Sequence, residues 1–168
     1  MTARISRLEK LLYRMEAQVA CLNWAFSDLA SRPGIVFEMG LGNGRTYSHF
    51  ARYLPDREIY AFDRAVNSYP DCTPPEDHIL LGELADTLPA AARRFAGQVA
   101  LAHSDMGSHS KAHNAQMSAL VSKELGPALA DGALILSGLP LELPGATSLP
   151  LPSGAREDRY YLYRFRRG

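Results

Sequence analysis

The segment LAHSDMGSHSKAHN, residues 101–114, places His103, Asp105, His109, Lys111 and His113 within eleven positions, and three of the chain's five histidines fall there. Imidazole titrates near neutral pH, so such a cluster suits proton transfer. His103 and Asp105 stand two apart on a run that reads as strand, which turns both to one side. That pairing nominates Asp105, with His103 or His109, for acid–base or positioning work. A satisfied core histidine is the alternative for His103. His109 and His113 stand four apart on an incipient helix, a spacing that can grip a metal ion. No third clear ligand accompanies them, and no metal is expected.

A second feature is FEMGLGNGRTYSHF, residues 37–50, with three glycines in five positions directly after an apolar run and Glu38 two places ahead of the first. Glycine is costly to order. Its use is a tight turn and a close backbone approach to a ligand. The helix that follows offers free N–H groups and the positive end of its dipole.

Positioning these residues requires a particular set of elements. Ile5, Leu8, Leu12, Met15, Val19, Leu22, Phe26 and Leu29 recur at spacings of three and four, which predicts a helix over residues 3–30 ended by Arg32-Pro33-Gly34. GIVFEMG reads as a buried strand, RTYSHFARYL as a helix stopped by Pro55, and EIYAFD as a second strand. The proline-rich stretch RAVNSYPDCTPPEDH leaves little room for a helix. HILLGE, VALAHSD and GALILSG read as strands. LADTLPAAARRFAG, with Pro89 near its first turn, and residues 110–130, with a bend at Gly126-Pro127, read as helices. The tail TSLPLPSGAREDRYYLYRFRR reads as two strands about a turn at Ser153-Gly154. Alternating strands and helices predict a three-layer α/β sandwich. Its sheet is seven-stranded and mostly parallel, closed by an antiparallel C-terminal hairpin strand. One domain is expected over 1–168, with 1–32 as a helical extension and 33–168 as a Rossmann-like core.

In such a sheet ligands bind at the carboxyl ends of the strands, beside the first. A dinucleotide loop needs G-x-G-x-x-G, and the sixth position here is Arg45, which disfavours a nicotinamide-nucleotide oxidoreductase. Glu38-Met39-Gly40-Leu41-Gly42-Asn43-Gly44 instead resembles the E/D-x-G-x-G-x-G motif of class I S-adenosylmethionine-dependent methyltransferases. The resemblance implies that the loop wraps the methionine part of the cofactor. Gly40, Gly42, Asn43, Gly44, Arg45 and Thr46 then lie against it, with Glu38 tied to its ammonium. Asp63, about twenty residues past the loop, is implied at the ribose hydroxyls. Glu83 and the backbone of Leu84 match the adenine-binding signature, with Glu in place of the usual Asp. Asp105 is implied at the reaction centre. S-adenosylmethionine is the expected cofactor, S-adenosylhomocysteine the product, and in-line methyl transfer the expected reaction. The alternative within this resemblance is a module that binds the cofactor without turnover.

Lys plus Arg and Asp plus Glu both number 18 in the 168 residues, so no net field draws the chain to nucleic acid or an anionic membrane. No window approaches the ~18 apolar residues of a membrane span. Cys21 and Cys72 share no metal spacing and read as reduced thiols, which places the protein in the cytoplasm. A small-molecule acceptor is expected, and no nucleic acid. Trp24 and Phe26 of the first helix are the expected lid. The early part of that helix outruns so small a sheet, so it either breaks near Ala17–Ala20 or pairs with a second copy. A homodimer through Ile5, Leu8, Leu12 and Met15 is expected.

Overall fold

The computed structural model describes residues 5–168. The predicted start of the first helix at residues 3 and 4 lies outside them. Helix α1 spans Arg7–Leu29 and is unbroken. Its start is written as Ser6-x-x-Glu9. The Ser6 hydroxyl accepts the Glu9 N–H, and the Glu9 carboxylate accepts the Ser6 N–H, a reciprocal cap that contributes about 1 kcal/mol. Of the two alternatives for this helix, the break near Ala17–Ala20 does not occur, because nothing there interrupts the backbone ladder.

Strand β1 (Ile35–Met39) is buried at every position and leads to helix α2 (Arg45–Tyr53). Strand β2 (Ile59–Asp63) follows, then two 3-10 turns at Pro70–Cys72 and Glu76–His78, then the short strand β3 (Ile79–Leu81). Helix α3 (Leu84–Arg94), strand β4 (Val99–Ser104), helix α4 (Lys111–Glu124) and strand β5 (Leu129–Ser137) come next. The expected bend at Gly126-Pro127 is a 3-10 turn over Gly126–Ala128. Pro89 is the sixth residue of α3, beyond the first turn where it was expected. It forgoes one intrahelical bond there, and burial of Leu84, Leu88, Ala91 and Ala92 holds the helix through it.

The sheet has seven strands in the order β3-β2-β1-β4-β5-β7-β6, where β6 is Ala146–Ser148 and β7 is Tyr161–Phe165. β7 pairs antiparallel with both β5 and β6, and the first five strands run parallel. Side chains alternate between two apolar layers. Val36, Leu101, Leu134 and Leu162 pack with α1 and α2 residues such as Leu22, Leu29 and Phe50. Phe37, Phe62, Ala102 and Ile135 pack with Leu88, Phe95 and Leu125 on the other face, where α3 and α4 lie. β1 and β4 are neighbours, and the strand order runs outward from them in both directions. That switch point leaves a crevice at the carboxyl ends of the strands.

Candidate active site

Four strand ends meet around the crevice. After β1 the chain turns sharply: the N–H groups of Gly40 and Leu41 both donate to the Phe62 carbonyl, at 2.9 and 3.2 Å. The Gly42 N–H donates to Asp63 Oδ2 at 2.9 Å, and the Arg64 N–H donates to Asp63 Oδ1 at 2.7 Å. Asp63 therefore braces the glycine loop from the end of β2. Gly44 takes a left-handed φ of 82°, and a Cβ there would lie 2.3 Å from the Cys72 carbonyl oxygen. The proline-rich segment is thus the backing of the loop. Gly42 differs: its φ is also positive, but a Cβ would meet nothing within 4 Å. That face looks into open space.

The space is a cleft of about 490 Å³, within the range of small-molecule sites. Gly40, Gly42, Asn43, Arg45 and Thr46 line it, as do Asp63, Glu83, Leu84 and Asp105. Arg64 stands within 4.0 Å of the Glu83 carboxylate across one end. α4 contributes His113, Gln116 and Met117, and α1 contributes Arg14, Met15 and Gln18. The α1 residues were not anticipated. Their signal in the sequence is two polar side chains, Arg14 and Gln18, one turn apart inside an apolar pattern.

Four nominated residues do not line the cleft. Gly44 is buried against Cys72. His109 is exposed on the loop between β4 and α4, beyond Asp105, Met106 and Gly107, which do line the cleft. Glu38 and His103 are neighbours on adjacent strands, both fully buried. The His103 Nδ1–H donates to Glu38 Oε2 at 2.7 Å, and Nε2 faces the Tyr160 hydroxyl. His103 is thus a satisfied core histidine. The expectation that it shares a side with Asp105 holds, since Gln18 Nε2 lies 3.5 Å from its Nε2 and 3.4 Å from Asp105 Oδ2. Asp105 in turn accepts from Arg14 Nη2 at 2.7 and 2.9 Å. A polar chain therefore runs from Glu38 through His103, Tyr160 and Gln18 to the cleft wall.

Burial pushes the Glu38 carboxyl up, opposed by His103. Burial pushes His103 down, but the Glu38 carboxylate outweighs it and the net direction is up. Burial, then the Asp105 charge, drives the Tyr160 hydroxyl well above its ordinary range. Trp24 and Phe26 do not cover the cleft. Phe26 packs among Phe50, His49 and Tyr53 of α2, about two turns further along the helix than Gln18. His113 turns Nε2 to the Met106 carbonyl at 3.2 Å, and among the described residues no group of three or more His, Cys, Asp or Glu is placed to hold a metal.

The donor set fits the cofactor that the motif implies. Gly42 offers a cradle that a side chain would fill, and three carboxylates are spread along the cleft at Asp63, Glu83 and Asp105. The S-adenosyl-L-methionine methyltransferase family model matches residues 5–165. The S-adenosyl-L-methionine methyl transferase from Silicibacter pomeroyi is 43% identical, over 96% of this chain and 99% of that one, with a TM-score of 0.92. The MycE methyltransferase of the mycinamycin biosynthetic pathway, solved with Mg and SAH, is 15% identical over 98% of this chain and 49% of its own, with a TM-score of 0.57. A 16S rRNA (adenine(1408)-N(1))-methyltransferase from Catenulisporales acidiphilia is 14% identical over 87% and 91%, with a TM-score of 0.51. These last two share the fold. No curated protein matches the chain.

Proposed function

The chain belongs to the S-adenosyl-L-methionine methyltransferase family, and we propose that it methylates a small organic acceptor at the Asp105 end of the cleft. It is an S-adenosylmethionine-dependent methyltransferase. When bound, the cofactor supplies a methyl group on a positively charged sulfur. The chain's own part is alignment and charge. In this reading the glycine loop and Asp63 hold the cofactor, Glu83 and Leu84 sit at its adenine end, and Asp105 faces its methionine end. His103 and Glu38 act indirectly, by fixing Tyr160 and Gln18 behind Asp105. His113 is the imidazole on the cleft wall. With Nε2–H given to the Met106 carbonyl, its Nδ1 keeps a lone pair for an acceptor proton.

The observation that carries the small-molecule reading is the enclosure of the cleft by α1 at Arg14, Met15 and Gln18, in a chain with no net charge. A nucleic-acid acceptor would call for a basic face. Free thiols at Cys21 and Cys72 suit the cytoplasm, and we take the working form to be a homodimer. No helix among the described residues is long and apolar enough to cross a membrane. The test is transfer of labelled methyl from S-adenosylmethionine into fractionated cell extract. Label in the low-mass fraction is expected, whereas label confined to RNA or protein would overturn the reading.

A further inference from the structure

Arg14 and Asp105 meet where the cleft wall adjoins the first glycine of the loop. Gly40 sets that closeness, since a Cβ on it would lie 2.8 Å from the Asp105 carbonyl oxygen. A single guanidinium nitrogen, Nη2, makes both bonds to the Asp105 carboxylate, at 2.7 and 2.9 Å. Among the described residues the side chain of Arg14 makes no other hydrogen bond, so the N–H groups on Nη1 and Nε are uncommitted. The side chain of Arg14 is 41% exposed and that of Asp105 21%.

We propose that this ion pair recognises the α-amino-acid end of the methyl donor, with Arg14 receiving its carboxylate and Asp105 its ammonium. The inference rests on the reading that the cofactor lies in this cleft with its methionine end at the glycine loop. An α-amino acid carries both charges on one carbon, so it needs a cation and an anion side by side. Elimination points the same way. Glu38, the acid ahead of the glycines, is 1% exposed and committed to His103. Asp63 meets the backbone N–H groups of Gly42 and Arg64 and, among the described residues, has no cationic side chain paired with it, so it lacks the cation an α-amino acid needs alongside. Glu83 stands at the far end with Arg64. Asp105 is the carboxylate left beside the loop, and Gln18 Nε2 steadies it at 3.4 Å independently of Arg14. Arg14 is then a cofactor-binding residue supplied by α1, and ligand binding ties the projecting half of that helix to the sheet.

The test uses the full chain and two probes. S-adenosylhomocysteine carries the amino-acid end, and 5′-methylthioadenosine lacks it. By calorimetry, Arg14→Gln is expected to weaken S-adenosylhomocysteine by about 10- to 100-fold, the value of one or two charge-assisted bonds. Binding of 5′-methylthioadenosine should stay within about twofold, which also shows that the cleft is folded. In hydrogen exchange, S-adenosylhomocysteine should slow the amides of residues 8–16 of the wild type, and 5′-methylthioadenosine should not. An equal loss for both ligands would make Arg14 a structural brace and overturn the proposal, as would no loss for either. Failure of the wild type to bind S-adenosylhomocysteine at all would instead remove the reading beneath it.

Discussion

Asp63 does two jobs with one carboxylate. It braces the glycine loop through the Gly42 N–H at 2.9 Å, and it lines the cleft, at the position we propose for the ribose. Asp63→Ala is therefore expected to weaken S-adenosylhomocysteine by about 1–3 kcal/mol, because it unpairs ligand hydroxyls and frees the loop together. A variant within twofold of wild type by calorimetry would reduce Asp63 to a loop residue. Glu38 and His103 make a different kind of prediction. Burial raises Glu38, and its carboxylate raises His103 against the effect of burial. With both values raised, the folded chain binds more protons than the unfolded chain, so stability falls as pH rises. For His103 the contribution is fully present below its unfolded value of about 6.5 and is lost as pH climbs through the folded value. Melting temperature should thus decline above neutrality. The double variant Glu38→Gln plus His103→Gln, which lacks both titrating groups, should show a flatter profile. An equal slope in the double variant would place the proton uptake elsewhere.

At the scale of elements, the glycine loop separates into a part that meets protein and a part that meets ligand. A Cβ at Gly44 would collide with the Cys72 carbonyl and Cβ, at 2.3 and 2.7 Å, whereas one at Gly42 meets nothing. Gly44→Ala should cost at least about 3 kcal/mol and shift the proline-rich segment. Gly42→Ala should cost only the ~1–2 kcal/mol of a left-handed backbone. It should nonetheless abolish the rise in melting temperature given by S-adenosylhomocysteine. Retention of that rise would mean that the open face of the loop does not touch the cofactor. The sequence made the strand–glycine–helix unit legible because its hydrophobic period changes across a cluster of glycines, and the last strand was legible because Tyr161, Tyr163 and Phe165 alternate with Leu162, Arg164 and Arg166, whereas its hairpin partner is the short Ala146–Ser148 and no strand borders the turn at Ser153-Gly154. Roles that depend on which way a side chain turns were not. Glu38 and His103 stand on the strands where they were expected, yet β1 and β4 pair in a register that faces them to each other instead of to the cleft. Tyr160 and Gln18, which complete that cluster, are far from it in sequence, and the polar break that Gln18 makes in the apolar pattern of α1 does not say what it faces. Arg14 was likewise hidden, since only the packing of α1 on the sheet reveals which side of the helix meets Asp105.

For the whole molecule, α1 raises a question of reach. Its 23 residues span about 34 Å, while a chain of this length has a radius of gyration near 15 Å. The helix docks from Ala17 onward: Ala17, Cys21, Leu22, Ala25 and Leu29 are buried on the sheet. The helix also carries large apolar side chains that the sheet leaves uncovered: Leu8 is 75% exposed, Leu11 52%, Leu12 51% and Val19 46%. An open groove adjoins them where Met15, Val19 and Ala20 meet Gly154 and Ala155. Four large apolar side chains facing water along one helix mark an association surface. A two-fold axis crossing near Leu11 and Leu12 would set two such helices antiparallel and bring Arg7 of each protomer toward Glu16 of its partner, so these flanking charges are complementary under that symmetry. The chain is accordingly expected to run as a dimer of 18.5 kDa protomers in light scattering at micromolar concentration. Leu8→Glu plus Leu12→Glu should convert it to a monomer, by placing four like charges across the axis, while leaving the docked part of α1 and its cap intact. Because the part of the helix that bears Leu8 and Leu12 also carries Arg14 to the cleft wall, the monomeric variant should also bind S-adenosylhomocysteine less tightly than the dimer. A monomeric wild type, or an unchanged mass in the variant, would leave the exposed apolar side chains of α1 without a partner in their own chain.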